Sequence, residues 1–107
     1  KITLSKNNKM YVMGIDDIYY CEANEHEVYV YTKDDRFKVS SSLSDFNKKL
    51  VQSTFFRCHR SYIVNIDKIT EVIPWFNNTY IIKLQGLNSE IPVSRQNISL
   101  FKQLMGI

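Results

Sequence analysis

The chain has 107 residues, 44% of them hydrophobic and 13% aromatic, with seven tyrosines and six phenylalanines against three glycines and two prolines. That length and apolar content suit a single domain and exclude collagen-like and low-complexity disordered classes. The net charge is +3, from 14 Lys/Arg and 11 Asp/Glu, an excess whose placement matters more than its size.

Placement is uneven. Residues 1–50 hold eight cations and eight anions, whereas residues 51–107 hold six cations and three anions, so the whole excess falls in the second half. Four of those six cations are Arg57, Arg60, Arg95 and Lys102. No apolar run approaches the roughly 18 residues that span a bilayer, and no signal-peptide pattern opens the chain, so a soluble, cytoplasmic protein without membrane contact is expected. A start at Lys1 is expected of a fragment of a longer protein. Cys21 and Cys58 are isolated thiols with neither metal-pair nor disulfide-framework spacing, and are expected buried and reduced.

In chain order, residues 1–6 alternate Ile2 and Leu4 with polar neighbours and pair across Asn7-Asn8 with residues 9–13, a first hairpin. Residues 14–17 predict a helical turn capped by an aspartate. The strongest strand signals follow, at residues 18–23 and 28–32, with residues 24–27 as a polar tip between them. Residues 33–35 form a tight turn into a strand at residues 36–40. The period then changes: Leu43, Phe46 and Leu50 share one helical face over residues 42–50, with Ser41 or Ser42 as N-cap.

Residues 55–65 return to the strand pattern, with Phe55 and Phe56 as anchors before a cationic insert. A strand over residues 69–75 carries Pro74, which implies an edge or a bulge. Asn77-Asn78 is a turn favouring left-handed backbone, and residues 79–84 pair back across it. Gln85-Gly86 turns the chain into a last strand at residues 89–93. Ser94 is the natural N-cap of a closing helix with the stripe Ile98, Phe101, Leu104 and Met105. The sum is mainly β, about nine or ten short antiparallel strands with two short helices.

Two segments carry the candidate chemistry. Between the anchors at Phe55-Phe56 and Tyr62-Ile63-Val64 lie Arg57, His59, Arg60 and Ser61, all hydrogen-bond donors with no acid from residue 55 to 66. The closing helix would offer free N–H groups at its start, beside Arg95, Gln96 and Asn97, side chains suited to base edges and phosphates. His26 stands on the 24–27 tip, where a lone histidine is ordinarily solvated; His59 suits a structural role in its own turn. No nucleophile–base pair, carboxylate cluster, metal spacing or glycine-rich phosphate loop is present, so no catalytic residue, metal or cofactor is expected.

The run Phe56-Arg57-Cys58-His59-Arg60-Ser61-Tyr62-Ile63-Val64-Asn65 resembles the signature of LytTR DNA-binding domains. Three further landmarks occur in the same order: Ile18-Tyr19-Tyr20-Cys21-Glu22-Ala23, the short helix from Leu43 to Leu50, and Ile91-Pro92-Val93-Ser94-Arg95. Pro74-Trp75-Phe76-Asn77 is similar to the LytR-like branch. The resemblance covers nearly the whole chain, residues 1–107, as one domain.

It implies an elongated arrangement of antiparallel β-sheets that reads double-stranded DNA by loops along one edge. Such domains are the output halves of bacterial two-component response regulators, placed after a receiver domain, acting on paired direct repeats upstream of target genes and compatible with a homodimer on DNA. Carried over by position, the first loop offers His26 as base contact with Asn24 as competitor. Arg60 takes the minor-groove position. The third loop offers Gln96 or Arg95, since some members of the family carry a base-reading Arg two residues after the serine, where this chain has Gln96 and places Arg95 one residue earlier. Ser61, Ser94 and Asn97 match backbone-contacting positions, joined by Arg57 and Lys102, while His59 and Asn65 hold the reading loop. Glu25 and Glu27 flank His26 and would repel phosphates. The competing class is a β-rich protein-interaction or ligand-sensing module that touches no nucleic acid; single-strand binding would require exposed aromatics such as Tyr29 and Tyr31.

Overall fold

The computed structural model describes residues 1–51 and 54–107. Among the described residues, ten strands fall into three antiparallel sheets. A hairpin of β1 (Ile2–Lys6) and β2 (Lys9–Met13) opens the chain. The central sheet has five strands in the order β5-β4-β3-β7-β6, formed by β3 (Tyr20–Asn24), β4 (Glu27–Tyr31), β5 (Arg36–Val39), β6 (Phe55–His59) and β7 (Tyr62–Asn65). The third sheet orders β10-β9-β8, from β8 (Ile69–Trp75), β9 (Thr79–Leu84) and β10 (Glu90–Val93). Two helices, α1 (Leu43–Asn47) and α2 (Ile98–Met105), complete the architecture.

The central sheet is covered on both faces, which is why its strands are so apolar. On one face Cys21, Val28, Val30, Phe37, Phe55 and Ile63 pack with Leu4 of the first hairpin and with Leu43 and Phe46 of α1. On the other, Tyr20, Phe56, Cys58 and Val64 pack with Ile82, Leu84, Ile91 and Val93 of the third sheet and with Ile98 and Phe101 of α2. Neighbouring residues of one strand therefore serve different cores: Phe55 faces the first and Phe56 the second.

Local signals explain most element ends. The Ser42 hydroxyl accepts from the Asp45 backbone N–H at 3.1 Å, which starts α1 as its cap. The 3-10 turn Ile15–Asp17 has Gly14 at its N-cap, and the Asp17 carboxylate accepts from the Gly14 N–H at 3.2 Å. Pro74 lies on β8, an edge strand that needs no donor there. The Asn7-Asn8 and Asn77-Asn78 turns are left-handed at both residues, a conformation asparagine tolerates better than most side chains.

Three expectations are corrected. The helix expected over residues 42–50 is α-helical only to Asn47, with Leu50 still buried beyond it. Leu104 belongs to no core: it is 44% exposed, and α2 docks through Ile98, Phe101 and Met105. Positions 98, 101 and 105 recur at three and four residues and share one side of a helix, whereas 104 falls on its flank. Ser94 does not cap an α-helix, because a 3-10 turn, Arg95–Asn97, intervenes and α2 begins at Ile98.

Asn65 is the one buried polar side chain in the core among the described residues. Its Nδ2 donates to the Ile18 carbonyl at 2.8 Å and its Oδ1 accepts from the Asp67 N–H at 3.0 Å, tying β7 to the segment before β3 and capping the turn Ile66–Lys68. Asn65→Ala leaves a buried carbonyl without a donor and is expected to lower unfolding free energy by about 1–3 kcal/mol, read from urea denaturation.

Candidate nucleic-acid interface

Three connections meet around the turn between β6 and β7. The first is the β3–β4 hairpin. Its polar tip was expected over residues 24–27, but the ladder continues through the pair Asn24 and Glu27, leaving only Glu25 and His26 as the loop. Both adopt positive φ, 51° and 68°. A two-residue left-handed turn matches the twist of its strands, and here it holds the His26 side chain exposed at the extremity. Glu27 is ion-paired with Lys38 at 3.5 Å, so part of the negative charge flanking His26 is offset.

The middle connection is Arg60-Ser61, held by its neighbours. The Ser61 N–H donates to His59 Nδ1 at 3.0 Å, and the Ser61 carbonyl accepts from the Ala23 N–H at 2.9 Å, fastening this turn beside the first hairpin. Arg57 is half-buried, and its guanidinium donates to the Ser44 hydroxyl at 2.7 Å and to the Arg60 carbonyl. The sequence placed Arg57 among backbone contacts; the structure commits those two donors to bracing the loop. Arg60 itself is exposed.

The third connection, residues 94–97, is fastened to the same strand. The Cys58 carbonyl accepts from the Ser94 N–H at 3.0 Å and from Asn97 Nδ2 at 3.2 Å, and Asn97 Nδ2 also donates to the Ser94 hydroxyl at 2.6 Å. Ser94 thus stands at the N-cap of the 3-10 turn without a side-chain cap bond, its hydroxyl accepting from the Asn97 amide instead. The arrangement leaves Arg95 and Gln96 outermost and exposed.

Two surface depressions record the outcome. One is lined by His26, Glu27, Ser42, Ser44, Arg57 and Arg60. The other is lined by Arg60, Arg95 and Gln96 together with Trp75, Asn77 and Thr79 of the β8–β9 hairpin. Arg60 belongs to both, so His26, Arg60 and the Arg95-Gln96 pair follow one another along a continuous surface. Asn24, Ser61 and Lys102 line neither depression, and Lys102 stands exposed toward the end of α2. Ser44 and Trp75 are absent from the candidate contacts that the sequence offers. An i, i+13 pairing such as Ser44 with Arg57 leaves no local pattern to find.

Cys21 and Cys58 are free and buried; burial raises both thiols, Cys58 to about 12. Among the described residues no cluster of His, Cys, Asp or Glu could hold a metal, and no helix is long and apolar enough to cross a membrane.

Loops on one surface, set by a sheet braced from both sides, characterise a β-scaffold that presents side chains to an extended partner. The LytTr DNA-binding domain family model matches residues 8–106, and the chain belongs to that family. It is 48% identical over 104 residues to the transcriptional regulatory protein YpdB of Escherichia coli (strain K12), covering 97% of this chain and 43% of that protein. It is 38% identical over 107 residues to the sensory transduction protein LytT of Bacillus subtilis (strain 168), covering 100% of this chain and 44% of that protein. A solved LytTr DNA-binding domain from Bacillus cereus superposes with a TM-score of 0.89 at 28% identity, over 99% of this chain and 96% of that one. The chain spans less than half the length of these two proteins.

The His59 contact titrates. Burial, and then the neighbouring Arg60 charge, hold its pKa below the ordinary 6.5. An imidazolium cannot accept from the Ser61 N–H. As pH falls the unfolded chain takes up its proton first, so the stability from this bond is full above 6.5 and is lost as pH drops through the lowered folded value. Wild type is expected to lose more of its thermal midpoint than His59→Gln between neutral pH and about pH 5. Parallel curves would remove His59 from the loop's support.

Proposed function

We propose that this chain binds double-stranded DNA sequence-specifically as the output domain of a bacterial two-component response regulator, with a receiver domain elsewhere in the full-length cytoplasmic protein, and performs no catalysis. The observation that carries the reading of the site is the shared position of Arg60 in both depressions, one holding His26 and the other Arg95 and Gln96. His26, with Asn24 beside it, enters one major groove and Gln96 or Arg95 the next. Arg60 lies over the minor groove between them, whose negative potential favours a guanidinium. Successive major grooves on one face of a duplex lie about 34 Å apart, and the molecule is 42 Å along its longest dimension.

Ser61, Ser94 and Lys102 supply candidate phosphate contacts around these base-reading groups. Arg57 and Asn97 serve mainly through the loop hydrogen bonds described above. Phosphate contacts fix register, and the groove-facing side chains supply sequence preference. Paired direct repeats upstream of target genes, occupied by two copies that dimerise on DNA, fit an output domain whose own contacts span about one turn.

The competing single-strand reading needs bases to stack on open rings. Tyr31 is instead stacked on Tyr20 at 4.2 Å, and the Arg36 guanidinium lies over Tyr29 at 4.4 Å.

Selection from random duplexes tests the reading, with an enriched motif whose two halves are about one helical turn apart as the expected result. No enrichment over input would favour a protein-interaction or ligand-sensing module. On the selected duplex, Arg60→Ala is expected to weaken binding on every sequence and to reduce the salt slope by about one. Gln96→Ala is expected to cost about 1–3 kcal/mol and to relax preference at one base pair; equal loss on every sequence would assign Gln96 to the phosphates.

A further inference from the structure

The tip of the β8–β9 hairpin has no role in the three-loop scheme, yet it is built like a contact element. Trp75 is 54% and Phe76 73% exposed, in a protein whose other large aromatics are mostly covered. Their rings pack edge to face with centroids 5.3 Å apart. The tip is held in shape by the left-handed Asn77-Asn78 turn and by the Thr79 hydroxyl, which donates to the Phe76 carbonyl at 2.6 Å. A preformed aromatic pair in water costs no ordering when it meets a partner.

What surrounds the tip identifies that partner. Trp75, Asn77 and Thr79 share one depression with His59, Arg60, Ser94, Arg95 and Gln96. Among the described residues, two guanidiniums face this hollow and no carboxylate lines it. An apolar protein surface docking here would bury both cations without a counter-charge, an expensive arrangement. A sugar-phosphate strand supplies anions for the arginines and an apolar deoxyribose face for the indole.

We propose that the Trp75–Asn78 hairpin is a fourth DNA-contacting element, the Trp75 indole lying against the deoxyribose-phosphate strand that flanks the groove entered by Arg95 and Gln96. The indole Nε1–H and the Asn77 amide donate to phosphates, and Phe76 supports the indole from outside. The contact adds affinity and fixes the angle of the third loop, without reading a base. It rests on the DNA reading given above.

Trp75 is the single tryptophan of the chain, so its emission, excited beyond the tyrosine band, reports on this site alone. The probe is the selected duplex, fluorescein-labelled and about 30 base pairs long, close to three helical turns. Labelled-duplex anisotropy reads binding while tryptophan emission and acrylamide quenching read Trp75 on the same samples. Quenching access is expected to fall severalfold as anisotropy saturates. Trp75→Ala is expected to weaken binding about tenfold, with Trp75→Phe between it and wild type and the same ranking on duplexes mutated in the motif. Saturating anisotropy with unchanged emission and unchanged acrylamide access would overturn the fourth contact and leave the three-loop reading intact. Wild-type affinity in Trp75→Ala would overturn it equally. No anisotropy change on any duplex would remove the DNA reading and this inference together.

Discussion

The turn between β6 and β7 is the constraint on which the exposed surface depends. Its strand offers the Cys58 carbonyl to Ser94 and Asn97, and its Ser61 carbonyl takes the Ala23 N–H. These are backbone bonds or bonds to backbone, so they fix loop positions with little freedom. The side chains inside the turn do the rest: His59 accepts from Ser61, and Arg57 closes on the Arg60 carbonyl. Arg60 alone is left pointing outward. A cationic side chain on a loosely held turn would lose backbone entropy on binding; here the backbone of the turn is already held in the folded chain.

Bracing of this kind requires a rigid support, and burial on both faces supplies it. The central sheet separates two cores, and the strands bearing the first and middle loops belong to that sheet. The third loop is carried by a different sheet and by α2, both pressed onto the second core through Ile91, Val93, Ile98 and Phe101. Its position thus depends on packing as much as on the Cys58 bonds. A semi-buried polar cluster adds to the same face: the Glu22 carboxylate accepts from the Tyr62 hydroxyl at 2.8 Å and the Tyr31 hydroxyl at 3.3 Å. Desolvation is the largest cause raising Tyr62, whose proton stays on the donor.

Much of the fold was legible because its signals are local. Strand identity followed from the β-branched and aromatic runs at Val28-Tyr29-Val30 and Tyr62-Ile63-Val64, the cap of α1 from Ser42, and the edge position of β8 from Pro74. The start of α2 was misread for a local reason too. Ser94 looks like a cap from its neighbours alone, but Asn97 competes for its hydroxyl, and an extra 3-10 turn separates it from the helix. Leu104 was misread because stripe-counting admits a flanking position that only the docked geometry excludes.

The sequence by itself determined which segments form strands, which residues are polar enough to stay outside, and which family the chain resembles, since these depend on side-chain type and spacing along a few residues. The tertiary structure alone decided what those polar residues touch. Arg57 and Ser44 are 13 positions apart, and Cys58 and Ser94 are 36 apart; no periodicity links them, so that Arg57 braces while Arg60 reaches out is visible only once the chain has closed. The same holds for Trp75, which joins Arg60 and Arg95 in one hollow because two sheets packed on a common core bring distant hairpins edge to edge.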